Sequence, residues 1–221
     1  MLSRLPQRIA RWLVLCVVLT GLLFLLAGRW DLPSLWAYAM VFWLLALYGV
    51  LTIDPDVMRE RLRPGPTVDP LRLALIRSLV LMHIVIAALD VGRFHWSDSV
   101  PRGLQLGALV RFALAIRWGL WAVQVNRFWS PAIRIQSERG HRPITSGPYG
   151  IVRHPGYAGV ALAVPCSALA LGSWVALIPA LGFTMLILRR AVHEDLFLRA
   201  HLEGYSNYAE RVRYRIAPGI W

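Results

Sequence analysis

The chain has 221 residues, of which 57% are hydrophobic and 16% charged, and its formal net charge is +12. This apolar content excludes an ordinary soluble domain and indicates an integral membrane protein. The positive charge does not indicate a nucleic-acid partner, because nothing in the sequence resembles a groove-reading element. Membrane topology and anionic lipid headgroups explain arginines in juxtamembrane loops.

Four apolar stretches in the first part of the chain are each long enough for a helix to cross a bilayer, which takes about 20 residues. A spanning segment must satisfy its own backbone polar groups, so helices are predicted. These stretches form an N-terminal four-span region, residues 1–125. The predicted spans are residues 12–27, 35–53, 73–91 and 104–125.

The last apolar stretch, residues 157–188, is too long for one ordinary span. Gly172 and Ser173 interrupt it, which predicts two short antiparallel helices, with one long kinked helix as the competing interpretation. The sequence thus predicts an all-α, polytopic membrane helix bundle of five to six membrane segments that ends in a helical hairpin. The second region, residues 126–221, comprises a basic loop, this hairpin and a basic tail.

The arginines predict the orientation, because cytoplasmic loops are enriched in basic residues. With six segments, both termini and most of the 24 Lys and Arg residues lie in the cytoplasm. The N-terminal segment contributes Arg4, Arg8 and Arg11. A bacterial inner membrane is favoured, because the chain shows no convincing targeting sequence.

Two arginines, Arg111 and Arg117, lie inside the fourth predicted span, where charge is costly. The sequence leaves three roles open for these arginines: lining a polar cavity, extending the side chain towards the membrane surface, or pairing with Asp90. The cysteines and histidines lack metal-ligand spacing, so no metal site is predicted.

The stretch GPYGIVRHPGYAG, residues 147–159, is polar and rich in turn formers, yet it lies beside apolar sequence. Pro155 suits the first turn of a helix. His154 then precedes the helix start, where free N–H groups and the positive end of the dipole favour an anionic group. A cytoplasmic ligand site is predicted there, with a plain membrane-surface loop as the alternative.

The tail RRAVHEDLFLRAHLEGYSNYAERVRYRIAPGIW begins where the last helix leaves the membrane. Arg190 and Glu194 are spaced to share one helix face, where a simple ion pair is one interpretation. In the predicted hairpin they also lie on the same side as His154. A carboxylate, an imidazole, arginines and tyrosines then converge, as in a functional site.

These two segments together resemble the catalytic half of the isoprenylcysteine carboxyl methyltransferase family and the related phospholipid methyltransferases. The shared pattern is H-x-x-[IV]-x-x-G-x-Y-x-x-x-R-H-P-x-Y-x-G followed by R-x-x-x-E-[DE]-x-x-L, within residues 126–221. The resemblance implies a membrane methyltransferase that uses S-adenosylmethionine and a lipophilic acceptor. No G-x-G-x-x-G element of a Rossmann domain is present.

The resemblance also implies roles for individual residues. The family's substrate arginine corresponds to Arg190, and Glu194 corresponds to a cofactor contact. The chemistry of methyl transfer adds Arg153 as a second arginine for an acceptor carboxylate and Glu194 as a base for an amine, so Arg190, Arg153 and Glu194 are the predicted catalytic residues. Asp195 stands where the family has a second glutamate, so its role is open. The predicted cofactor-binding residues are His141, Arg142, Pro143, Ile144, Tyr149, His154, Pro155, Gly156, Tyr157 and Glu194.

The identity of the acceptor stays open between a prenylcysteine-like carboxylate, an isoprenoid acid and a phospholipid amine. An acceptor carboxylate needs an arginine to hold it and no general base. An amine must lose a proton, for which Glu194 or His154 is the candidate base. The predicted partners are this lipophilic substrate and membrane lipids, with no obligate protein partner. The pattern R-H-P-x-Y-x-G with the ending Y-R-I-x-P also resembles NADPH-dependent sterol reductases, and a non-catalytic membrane protein is a further alternative.

Overall fold

The computed structural model describes residues 5–67 and 69–221, so Arg4 of the predicted N-terminal cytoplasmic segment lies outside the described residues. Within that part of the chain every regular element is helical, which confirms the predicted all-α class. The α-helices are α1 Leu5–Ala27, α2 Pro33–Thr52, α3 Pro55–Leu62, α4 Pro70–Leu89, α5 Arg102–Val125, α6 Pro155–Leu171, α7 Leu177–His201 and α8 Tyr205–Arg211.

In the part of the chain that the structure describes, four helices are long and apolar enough to cross a membrane: α1, α2, α5, and α4 with the π-helical turn Asp90–Phe94 that continues it. They coincide with the four predicted spans, and the protein is an integral membrane protein. α6 is a shorter apolar helix. It ends at Leu171, so the predicted pair of helices is confirmed and the single kinked helix is excluded.

α7 extends well beyond the predicted apolar stretch. The hairpin was expected to end near residue 188, whereas the helix continues to His201. Most residues that follow Arg190 are good helix formers, and no glycine or proline interrupts them before Gly204. Gly204 then adopts a positive φ of 76° ahead of α8. The charged residues after the apolar stretch therefore lie on a helix.

The chain divides into two compact units, and four of the described helices, α4, α5, α6 and α7, contribute to both of them. The first unit comprises Met1–Thr52, Ser78–Leu114 and Leu162–Phe183. The second comprises Ile53–Arg77, Ala115–Ala161 and Thr184–Trp221. The division at residue 125 made from the sequence concerns function and stays a prediction.

Buried polar groups connect the helices of the first unit. Asp90 is fully buried and accepts hydrogen bonds of 2.5 Å from Ser97 and Ser173. Arg111 instead donates to the Gly107 carbonyl of its own helix at 3.2 Å. Arg111 therefore does not form the ion pair with Asp90 that was one alternative.

In the second unit, α5 and α6 pack closely at glycine. A Cβ atom on Gly159 would lie 2.7 Å from the Ala115 carbonyl oxygen and 3.0 Å from the Gly119 nitrogen. These are backbone atoms that cannot move aside easily. The contact fixes the first turns of α6, which begin at Pro155 as its proline predicts.

Candidate functional site

Three side chains predicted for the site meet around one tyrosine hydroxyl. Tyr157, in the first turn of α6, donates to Glu194 Oε2 at 2.5 Å and accepts from Arg190 Nε at 2.9 Å. Arg190 and Glu194 are neighbours on one face of α7, as predicted, but the tyrosine hydroxyl bridges them. The two helices are thereby joined through functional groups rather than through apolar packing alone.

Arg190 is buried, and only part of its donor capacity is used. Its side chain retains 2% exposure, and Nη2 donates to the Pro131 carbonyl at 2.5 Å. Among the residues that the structure describes, Nη1 is buried and has no hydrogen-bond partner. An unpaired guanidinium nitrogen is costly in a protein interior, so this atom is suited to an anionic or carbonyl oxygen of a ligand.

A second buried nitrogen lies beside the same tyrosine. The rings of His154 and Tyr157 stack with their centroids 5.6 Å apart. His154 Nε2 lies 3.4 Å from Asp195 Oδ1, but it makes no hydrogen bond within the described part of the chain. Tyr157 thus has an unsatisfied imidazole nitrogen on one side and an unsatisfied guanidinium nitrogen on the other.

Asp195 is the centre of a separate group of charges and has no exposed surface. Its carboxylate accepts from Arg153 Nε at 2.6 Å and Nη2 at 3.0 Å, from Arg215 Nε at 3.1 Å, and from the Tyr205 hydroxyl at 3.0 Å. Burial raises the pKa of Asp195, but the neighbouring His154 and Arg153 outweigh it and hold the pKa well below its usual range. Asp195 is therefore a buried carboxylate anion.

Arg153 is fully engaged by this group. Besides its two bonds to Asp195, its Nη1 donates to the Val212 and Arg213 carbonyls, each at 2.7 Å. The backbone N–H groups of Arg153 and His154 donate to the carbonyls of Tyr214 and Arg215 at 2.9 and 2.8 Å. The tail at 212–215 is thus held against the chain just before α6.

Tyr149 lies in a 3-10 turn, Gly147–Gly150, and is buried. Its hydroxyl accepts from Asn126 Nδ2 at 3.0 Å, and its carbonyl accepts from the Tyr208 hydroxyl at 2.8 Å. Burial raises the pKa of Tyr149, so its hydroxyl is protonated at neutral pH. Gly147 has a φ of +58°, which favours glycine at this position of the motif.

His141 makes its contacts elsewhere in the basic loop. Its Nδ1 accepts from the Gln136 backbone N–H at 3.3 Å, and its ring lies 4.7 Å from that of Phe128. Burial, together with the charges of Arg134 and Arg139, lowers the pKa of His141 to about 4. The imidazole is therefore neutral at pH 7.

The structure brings some predicted site residues together and leaves others apart. One group contains Tyr157, Arg190 and Glu194, and His154 stacks against it. Pro155 and Gly156 form the start of α6, between His154 and Tyr157 in the chain. A Cβ atom on Gly156 would lie 3.3 Å from Trp129 Nε1. Within the described residues, no hydrogen bond joins His141, Arg142, Pro143 or Ile144 to Tyr157, Arg190 or Glu194.

Sequence reasoning did not foresee the central position of Asp195 or the part played by the Pro131 carbonyl. The only signal for Asp195 was its place directly after Glu194, where its shorter side chain left its role open. A backbone carbonyl such as that of Pro131 leaves no signal in a sequence at all. Both residues now enter the description of the site.

Comparison with known proteins supports the interpretation of these motifs. Residues 106–200 match the sequence profile of the Isoprenylcysteine carboxyl methyltransferase (ICMT) family. The matched range comprises 95 of the 221 residues, less than half of the chain, and it contains both motifs on which the resemblance was based. All the predicted site residues lie inside the matched range, whereas Tyr205 and Arg215, which bind Asp195, lie beyond it.

Three curated relatives share parts of the chain. A probable protein-S-isoprenylcysteine O-methyltransferase of Oryza sativa subsp. indica is 34% identical over 101 residues, covering 42% of this chain and 50% of that protein. A Delta(14)-sterol reductase of Methylotuvimicrobium alcaliphilum is 35% identical over 95 residues, covering 41% and 22%. The cobalt-zinc-cadmium resistance protein CzcN of Cupriavidus metallidurans is 30% identical over 139 residues, covering 60% and 58%.

The chain therefore spans about half the length of the curated methyltransferase that it matches. The profile match covers most of α5, the basic loop, α6 and most of α7. α1 to α4 precede the matched range. Similarity to the family thus concerns the half of the chain that holds the candidate site.

Proposed function

We propose that the protein is an S-adenosylmethionine-dependent methyltransferase that acts on a lipophilic acceptor at the cytoplasmic face of a membrane, such as the bacterial inner membrane. The observation that carries this proposal is the buried, unpartnered Nη1 of Arg190 beside the Tyr157–Glu194 hydrogen bond. A buried cation with one free donor needs a partner, and a ligand oxygen supplies one. The match of residues 106–200 to the methyltransferase family profile supports the reaction class.

Arg190 is proposed to hold the acceptor, which favours a carboxylate. The donors of Arg153 are occupied by Asp195 and by carbonyls of the tail, so we assign Arg153 a supporting role and Arg190 the contact. A carboxylate oxygen is already a nucleophile, so no residue has to remove a proton from it. An amine acceptor would need a base, and Glu194 is the candidate.

S-adenosylmethionine would supply an electrophilic methyl group. The residues proposed to hold it are Glu194, Tyr149, Tyr157 and His154, with the helix start at Pro155 and Gly156 and the segment 141–144. The unpaired Nε2 of His154 and the adjacent N-terminus of α6 suit a polar, partly anionic ligand. The hydrogen bond to Tyr157 fixes the Glu194 carboxylate before any ligand arrives, so less ordering is needed on binding.

Isothermal titration of the detergent-purified protein with S-adenosylmethionine and S-adenosylhomocysteine tests the proposal. We expect micromolar binding that is lost in Glu194→Ala, while Glu203→Gln, an exposed carboxylate change, leaves it intact. Labelled S-adenosylmethionine and a lipid extract, or N-acetyl-S-farnesylcysteine, would then identify the acceptor class. Absence of binding by folded protein would contradict the proposal.

The second candidate is an NADPH-dependent reductase, because the Delta(14)-sterol reductase matches over a similar stretch. Thermal melts of the same purified protein with each ligand distinguish the two candidate functions. S-adenosylhomocysteine should raise its melting temperature and NADPH should not. The opposite pattern would favour the reductase, and no shift with either ligand would favour a non-catalytic membrane protein.

A further inference from the structure

The connection between the second and third spans reaches the candidate site through a chain of polar contacts. α3 lies in this connection and begins at Pro55, where the Asp54 side chain accepts from the Asp56 N–H. Glu60 lies near the end of α3 and faces the loop before the hairpin. This part of the chain precedes the family match, and nothing above assigns it a function.

Glu60 forms a two-pronged ion pair with Arg134. Arg134 Nη2 lies 3.1 Å from Glu60 Oε2, and Arg134 Nε lies 3.2 Å from Oε1. The two side chains are only 12% and 19% exposed. Partial burial and bidentate geometry make this pair stronger than an ordinary surface ion pair.

The same carboxylate also holds the residue next to Pro131. Ser130 Oγ donates to Glu60 Oε1 at 2.9 Å and accepts from the Ala132 N–H at 3.1 Å. The Ser130 hydroxyl therefore connects the residue before Pro131 to the N–H of Ala132, the residue after it, and the same hydroxyl is hydrogen-bonded to Glu60. Pro131 has little freedom to rotate its carbonyl.

The Pro131 carbonyl is the acceptor that orients Arg190. It takes the hydrogen bond from Nη2, while Tyr157 accepts from Nε. These two contacts leave Nη1 as the free donor of the guanidinium. The direction of Nη1 therefore depends on where Pro131 lies, and Pro131 depends on Ser130 and Glu60.

We propose that Glu60 is a positioning residue of the site, acting through Ser130, Arg134 and the Pro131 carbonyl to aim the Arg190 guanidinium. This inference rests on the proposed function, because it assumes that Arg190, Tyr157 and Glu194 bind ligand together. The pKa of Glu60 is consistent with a permanent anion: burial raises it, but the hydrogen bonds from Arg134 and Ser130 lower it below its usual value. Glu60 thus supports the site from α3 without touching substrate.

The test is a double-mutant cycle between Glu60→Gln and Arg190→Lys, read as affinity for S-adenosylhomocysteine by titration. Glu60→Gln alone should weaken binding roughly 3- to 10-fold, because Arg190 no longer holds Tyr157 and Glu194 in place. In the Arg190→Lys background the same change should alter affinity less than about 2-fold, because the guanidinium that Glu60 positions is no longer there; uncoupled residues would instead give additive effects. Ser130→Ala, which removes one hydroxyl, should show the same dependence on Arg190 with a smaller effect.

Asp56→Asn is the matched control, because Asp56 lies on the same helix and pairs with exposed Arg59. It should leave the affinity unchanged. Melting temperatures without ligand show whether each variant is folded. Equal effects of Glu60→Gln in both backgrounds would overturn the positioning role and leave Glu60 a stabilising residue. Absence of binding in the wild type would instead overturn the proposed function, and the inference with it.

Discussion

Tyr157 and Glu194 are joined by a hydrogen bond of 2.5 Å, although 37 residues separate them in the sequence. The phenol donates to the carboxylate and at the same time accepts from Arg190, so a neutral group lies between an anion and a cation. This arrangement keeps the two charges close without a direct contact between them. Both charged side chains keep capacity for a ligand.

Tyr157→Phe should therefore impair the site while leaving the fold intact. The ring still packs against His154, but Glu194 and Arg190 lose their common partner and are free to pair with each other. We expect affinity for S-adenosylhomocysteine to fall roughly 10-fold or more, because the hydrogen bonds of the hydroxyl to two charged groups are lost. Titration with the ligand measures this directly.

Tyr214→Phe is the control for that change. Tyr214 is 39% exposed, and its backbone carbonyl accepts from the Arg153 N–H, a contact that the substitution preserves. Its affinity should equal that of the wild type. If Tyr157→Phe also bound with unchanged affinity, the hydroxyl bridge would have no role in ligand binding.

The course of the fold was predictable because it depends on local properties. The lengths of the apolar stretches predicted the four spans. Gly172 interrupts the last apolar stretch, and it lies with a φ of +98° in the turn between α6 and α7. His154 was expected just before a helix because Pro155 suits a first turn, and that is where it lies. Each of these inferences needs only a short window of sequence.

The contacts within the site were less predictable because they depend on tertiary structure. Spacing on one helix placed Arg190 beside Glu194, but only the packing of α6 on α7 inserts the Tyr157 hydroxyl between them. The pairing of Glu60 with Arg134 spans 74 residues. Charge composition cannot select such a pair from 24 basic residues.

Asp195→Asn should destabilise the protein strongly. Asp195 is fully buried and neutralises Arg153, which is itself only 4% exposed. Removal of one partner from a buried ion pair leaves the other charge uncompensated and costs about 3–5 kcal/mol. A thermal melt in detergent, followed by tryptophan fluorescence, should show a melting temperature lower by several degrees. Glu203→Gln, at an exposed position, should show no change, and equal stability of the two variants would contradict the assignment.

Stability should decrease as the pH falls from about 6.5 towards 4, partly because of His141. The pKa of His141 is about 4 in the folded protein, because burial and nearby arginines disfavour its charged form, and 6.5 is its ordinary value. The unfolded chain therefore binds more protons than the folded protein between these two values, so acid favours unfolding. Asp195 has a lowered pKa and acts in a more acidic window, since its contribution is lost only below the ordinary carboxyl pKa near 4.

The pH effect of His141 is measured by comparing melting temperatures of the wild type and His141→Gln from pH 7.5 to 4.5. The wild type should lose more stability than the variant over this interval, because glutamine does not titrate. Other histidines titrate equally in both proteins and cancel in the difference. Parallel curves would show that the imidazole of His141 is not held neutral by the fold.

Gly159→Ala should weaken the contact between α5 and α6. The added methyl group would meet the Ala115 carbonyl and the Gly119 backbone, so the helices must separate or shift. Such overpacking costs about 1–3 kcal/mol, and a displaced α6 also moves Tyr157 relative to α7. We expect both a lower melting temperature and weaker binding of S-adenosylhomocysteine.

Gly21→Ala in α1 is the control, because nothing lies within 4 Å of its added Cβ and alanine favours helix more than glycine. That variant should be as stable as the wild type or slightly more so, and an equal loss in both would mean that the close approach at Gly159 does not set the position of α6.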